Sequence, residues 1–171
     1  MWASARECPP SRQNSRRSMR SEMTEPKDVI HPEPVWRERA DFIIGAPLPE
    51  GRAEQLWARR VDGHLFELCC IPFFVFDVAL GDLVETDAGY EIVGVVQRSG
   101  RSVFRVWFGE SFRPRQQIAD QLSDLGALLE WSSVNLLAVD ADGTARAKVV
   151  ADFLAEREGE GQLTYETGRS G

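Results

Sequence analysis

The alternation of apolar and polar positions divides the chain into a strand-rich first half and a second half where helices and strands alternate. A short apolar strand is expected at Ala40-Asp41-Phe42-Ile43-Ile44, broken by Pro47, Pro49 and Gly51. Residues 54–61 (EQLWARRV) and 64–71 (HLFELCCI) then read as two strands joined at Asp62-Gly63. An Asp-Gly pair between apolar runs predicts a type I′ hairpin, because that turn needs positive φ at both central positions. Pro72 ends the pairing, and Phe73-Phe74-Val75-Phe76 follows as an aromatic loop. Gly81-Asp82 turns the chain into another short strand, and residues 91–99 and 102–108 read as a further hairpin turning at Gly100. Turns every 8–12 residues predict a small antiparallel sheet or a half-barrel here.

The rhythm changes after Phe108. Pro114 sits where a first helical residue belongs, and Ile118, Leu122 and Leu125 follow at helical spacing, with Gly126 as the C′ residue. Strands are expected over 127–132 and 135–140. A second helix should start after Asp142-Gly143-Thr144, bury Val149, Val150, Phe153 and Leu154, and end near Gly159; residues 162–167 alternate like an edge strand. From Ser102 the order is β-α-β-β-α-β, the order of a ferredoxin-like sandwich, with its first and third strands central. The expected fold is therefore α+β. A tail and linker (1–38) lead into a β-rich lobe (39–101) and a ferredoxin-like lobe (102–168) within one body, and residues 169–171 form a tail. One conflict is visible: a central strand at 102–108 leaves little room beside it for 91–99.

Composition refines this picture. The chain has 171 residues, 43% of them hydrophobic, which is ample for a core. Residues 1–22 hold five Arg and two Glu, a charge of +3; the total of −7 leaves −10 on the remainder. That tail is expected to be a disordered extension, with Met19 or Met23 as the working start, and the three prolines of 26–34 a linker. An acidic body repels phosphate backbones, so no nucleic-acid partner is expected. No run of about 18 apolar residues exists to span a membrane. Three cysteines without paired spacing fit a reducing compartment, and a cytoplasmic location is expected.

Candidate chemistry is sparse. Cys69-Cys70 lies on an apolar strand and reads as buried and inert. His31 falls in the linker and His64 beside a turn facing solvent, which leaves neither a His-based triad nor a His-ligated zinc site. No metal or cofactor is expected. Asp82, near Asp77, Glu85 and Asp87, reads as part of a solvated turn, hydrogen-bonding backbone amides. Gln97-Arg98-Ser99-Gly100-Arg101-Ser102 reads as a polar hairpin tip, with anion binding by its two arginines as the alternative. The aromatics exceed the needs of one small sheet face, so a contact surface remains open for part of the Phe loop. The candidate contact or ligand surface comprises Phe73, Phe74, Phe76, Asp82, Arg98, Ser99, Arg101 and Arg105.

The stretch Ile71-Pro72-Phe73-Phe74-Val75-Phe76-Asp77-Val78-Ala79-Leu80-Gly81-Asp82-Leu83-Val84 resembles the signature of a bacterial family catalogued as domain of unknown function 4265. Leu56-Trp57-Ala58, Val96 to Ser102 and Arg105-Val106 support the resemblance, which runs from about Arg39 to Thr167 and implies no particular activity. Three function classes follow. The leading one is a non-catalytic protein-binding module, such as an immunity- or inhibitor-like protein capping a basic target, in a complex weakened by salt. A small-molecule-sensing regulatory domain, working as a homodimer, is the alternative. An enzyme using Asp82 with Arg98 or Arg105 is the third.

Overall fold

The structure, a computed structural model, describes residues 27–109 and 114–169. The expectations for the N-terminal tail, with Cys8 and the start at Met19 or Met23, lie outside the described residues, as do Ser170 and Gly171.

The fold is α+β, built from two antiparallel sheets and two helices. Strands β1 (Phe42–Pro47), β2 (Ala53–Asp62), β3 (Leu65–Leu68), β4 (Leu83–Thr86) and β5 (Ile92–Gln97) form a five-stranded meander in sequence order. Along β2, Glu54, Leu56 and Ala58 are buried while Ala53, Gln55 and Trp57 are half-buried, the period of two that a pleated strand imposes. Ile44, Leu56, Phe66, Leu68 and Val84 fill the concave side. The sheet curls until β1 meets the start of β5 at one parallel bridge, Gly45 with Glu91, but it does not close into a barrel.

The second sheet has the order β7-β8-β6-β9, using β6 (Arg101–Trp107), β7 (Leu128–Trp131), β8 (Leu136–Asp142) and β9 (Thr164–Arg169). Helices α1 (Arg115–Asp124) and α2 (Gly143–Gly159) cover one face. The inner strands are β6 and β8, as the apolar runs of both demand, and β9 is an edge. Phe104, Val106 and Phe108 from β6 and its end meet Ile118 and Leu122 of α1 and Val150 and Leu154 of α2. Each such fully buried side chain contributes about 1.5–3 kcal/mol. Gly126 ends α1 at φ 83°, and the Ala127 amide returns to the Leu122 carbonyl.

Several local expectations are corrected. Residues 91–99 and 102–108 are not a hairpin: β5 belongs to the first sheet and β6 to the second, with Gly100 at φ 78° where the chain crosses between them. This removes the crowding beside the central strand. The β2–β3 turn is centred one residue later, on Gly63-His64, and only Gly63 has positive φ, so it is not type I′. Val149 of α2 is 48% exposed rather than buried.

The largest correction concerns residues 27–38. Instead of a linker they form an ordered strap: Val29 bridges to Glu54 of β2, and Val35 and Trp36 pack between the sheets beside Ile71, Leu80 and Val103. The strap explains Gly81. Its φ is 78°, and a Cβ there would come within 3.2 Å of the Trp36 ring and 3.3 Å of Ser99. Gly81→Ala is expected to destabilise the fold by about 1–3 kcal/mol through left-handed strain and displaced Trp36. Urea unfolding checks this; unchanged stability would mean that Trp36 does not seat against this turn.

Candidate functional site

The loop between β3 and β4 carries the aromatic run across the helix-free face of the second sheet. On β6, Phe104 and Val106 point to the helices, so Val103, Arg105 and Trp107 point to this loop. Phe73 is buried, as core packing requires, but Phe74 is 39% and Phe76 59% exposed, and Trp107 is 45% exposed. Phe73, Phe74 and Trp107 border a cleft of about 240 Å³ that also reaches Arg105, Leu136 and Glu166. Arg105 is only 5% exposed. Its guanidinium donates to the Val75 carbonyl and, at 3.3 Å, to Glu166 on the neighbouring strand, and it lies 4.2 Å from the Phe76 ring centre.

The remaining candidates lie elsewhere. Arg98 pairs with the exposed Asp77 carboxylate, and Arg101 forks onto the buried Asp140 at 2.6–3.0 Å. The two arginines of the 97–102 segment therefore serve separate carboxylates. Asp82 is not solvated but fully buried; it accepts from the Ala79 and Ser99 amides and ties the Gly81 turn to the start of the crossing segment. Ser99 Oγ accepts from the Arg101 amide. Phe73, Phe74, Phe76 and Arg105 come together; Asp82, Arg98, Ser99 and Arg101 form a neighbouring structural group.

The histidine that sequence reasoning placed in the linker is buried. His31 is 2% exposed, and its Nδ1 lies 2.7 Å from Glu130 Oε2 on β7 while Nε2 lies 3.0 Å from Glu54 Oε1 on β2. Carboxylates only accept, so both ring nitrogens must donate and the imidazole is charged. Its ring stacks on Phe73 with centroids 3.9 Å apart and planes 10° apart. Glu54 also accepts from the Phe73, Phe74 and Val75 amides, and Glu130 from Val35 and Ile71. Burial opposes the charge on His31, but hydrogen bonds to the Cys70 sulfur, Glu130 and Glu54 prevail and push its pKa up to about 11. Burial likewise opposes ionised Glu54, yet His31 and the loop amides hold it below the usual carboxylate value. Cys70 is sealed, and burial pushes its thiol up; Cys69 is pushed up to about 11 for the same reason. Cys70, His31 and two glutamates thus form a satisfied junction without a solvent face. Among the described residues no group of three His, Cys, Asp or Glu is arranged to hold a metal ion, and no helix is long and apolar enough to cross a membrane. The exposed His64 approaches Thr86 Oγ1 at 3.4 Å.

Glu54 carried a usable signal, because it occupies the same phase of β2 as Leu56 and Ala58. His31 carried none, since it lies between prolines outside any periodic segment.

The family described as "Domain of unknown function (DUF4265)" matches residues 54–165. The chain belongs to this bacterial family. The DUF4265 region includes both glutamates of the junction and the whole aromatic loop, while His31 lies upstream of it. A crystal structure of a hypothetical protein from Neisseria gonorrhoeae is similar, with a TM-score of 0.62 and 17% identity over 75% of this chain and 93% of that one. At that identity the likeness shows the fold alone. No curated protein matches the chain.

The junction should leave a pH signature. A raised His31 pKa stabilises fully below about 6.5 and progressively less as pH rises towards about 11. A lowered Glu54 pKa stabilises fully above about 4.5 and less as pH falls. The stability lost in His31→Gln is therefore expected to be largest between those values, at about 3–5 kcal/mol, and to shrink steadily towards pH 9. Chemical denaturation of both proteins across that range checks it; a pH-independent difference would contradict a charged His31.

Proposed function

We propose that the chain is a protein-binding module whose contact surface is the aromatic-rimmed cleft on the helix-free face of the second sheet. The observation that carries this reading is the exposure of Phe74 and Trp107 at the cleft over a nearly buried Arg105, with the exposed Phe76 ring against the same guanidinium. Aromatic and arginine side chains in one well-packed patch are the composition of binding hot spots. The strand order β7-β8-β6-β9, with both helices on the far side, supports treating the second lobe as a ferredoxin-like sandwich that offers this face. Binding is placed ahead of catalysis because the acid–base groups that lie together, Cys70, His31, Glu54 and Glu130, are sealed and mutually occupied. The acidic body favours a basic partner of inhibitor or immunity type, and the reduced, buried Cys69 and Cys70 suit a cytoplasmic setting.

The test is affinity capture from the bacterium's own cells, with wild type compared against the triple variant Phe74→Ser, Phe76→Ser, Trp107→Ser. All three side chains are surface-exposed, so the fold is retained. A stoichiometric protein is expected on the wild type, released by raised salt, and held at least about tenfold more weakly by the variant. Capture of nothing, or equal capture by both, would defeat the proposal.

A further inference from the structure

The floor of the cleft holds a charge with spare hydrogen-bonding capacity. Arg105 presents five N–H donors in a planar fork. Two of its contacts are described, to Val75 O and to Glu166 Oε1, and its buried Nε has no hydrogen-bond partner. The ion pair is loose. Glu166 sits at 3.3 Å, longer than a well-formed charged hydrogen bond, and is 58% exposed against 5% for the arginine. An exposed carboxylate so placed contributes little and exchanges readily with solvent. The guanidinium itself cannot swing away. Its stem is held on β6, the Phe76 ring lies against it, and Gly168 of β9 packs so closely that a Cβ there would come within 3.2 Å of the guanidinium carbon. A fixed fork beside a mobile counter-ion, in a cleft walled by Phe73, Phe74, Trp107 and Leu136, is complementary to a carboxylate attached to an apolar body.

We propose that the cleft binds an aromatic or aliphatic carboxylate through Arg105, with Glu166 as an internal competitor that the incoming group displaces. The inference rests on the cleft being the contact site and names the chemistry that it reads. The same group could arrive as a free small acid or as the C-terminal carboxylate of a protein partner. In both cases the acid engages the guanidinium fork while its apolar body lies along Phe74 and Trp107. Displacing Glu166 restores one full ion pair to Arg105 and releases the glutamate to water, where it is already mostly solvated. Glu166 leaves by side-chain rotation, since it is already 58% exposed.

The test follows the side-chain Nε–H resonance of Arg105 by NMR in the full chain. The probes are phenylacetate, N-acetylphenylalanine, and a glycine-rich heptapeptide ending in phenylalanine, each as the free acid and as the amide. Saturable movement of that resonance is expected with acids and not with amides; the tighter of the small acids and the peptide identifies the source. Arg105→Lys keeps the charge but not the fork and should weaken acid binding at least about tenfold. Glu166→Gln, at an exposed site, should tighten it by up to about fivefold. Equal responses to acids and amides, or no response to any acid, would overturn the proposal, and unchanged affinity in Glu166→Gln would overturn the displacement. The two readings fail separately. A captured protein whose binding ignores Arg105→Lys removes the carboxylate inference alone, whereas acid binding without any captured protein removes the protein-binding module alone.

Discussion

Two buried carboxylates facing one imidazolium set the arrangement of everything else. Glu54 enters from the first sheet, Glu130 from the second, and His31 from the N-terminal strap, so three parts of the chain share one electrostatic joint. Neither carboxylate could be tolerated in that position alone. The effective cost of desolvating each ion is several kcal/mol, and it is met only because every acceptor is filled. The filling comes largely from the backbone of the aromatic loop, whose successive amides at Phe73, Phe74 and Val75 converge on Glu54. The loop is therefore held by its main chain, which leaves the Phe74 and Phe76 side chains unneeded for its placement.

The contact between the two sheets combines an apolar patch with one ionic junction. Its apolar portion is formed by Ile71, Phe73, Ala79, Leu80, Val103 and Ala138, with Val29, Val35, Trp36 and Leu128 packed against them. Around that patch stand Glu130 with His31, which reaches across to Glu54 of the first sheet, and two pairs internal to the second sheet, Asp140 with Arg101 and Arg105 with Glu166. These pairs grade from sealed to open along the sheet face. His31 and Asp140 are enclosed, while the pair at Arg105 has one partner in solvent. The His31 junction, with its fixed directions, aligns the sheets more specifically than an apolar face would, since a slip would strand a buried charge.

Much of this fold was legible because period-two and helical patterns are local. The strands from β6 to β9, both helices, and the Gly126 stop were all readable from residue spacing. The crossing at Gly100 was not, because two adjacent strands look alike whether they pair with each other or leave for different sheets. Only the count of partners around β6 hinted at the answer. The aromatic surplus pointed to the right loop, but which rings face outward depends on the amides bound to Glu54. His31 was illegible for a different reason: its role is fixed by residues 23 and 99 positions away, and nothing in its own neighbourhood reports them.

Those separations also order events as the chain is made. Glu54 follows His31 from the ribosome almost at once, but Glu130 emerges only after the whole first sheet, β6 and α1 have been synthesised. Until then the histidine has one of its two anions, and the first sheet carries its strap half-fastened. Distant contacts close late because chain entropy must be lost before they form. The joint therefore closes only once β7 has been made. A nascent chain stalled before β7 would hold His31 against Glu54 alone, with the second carboxylate still missing.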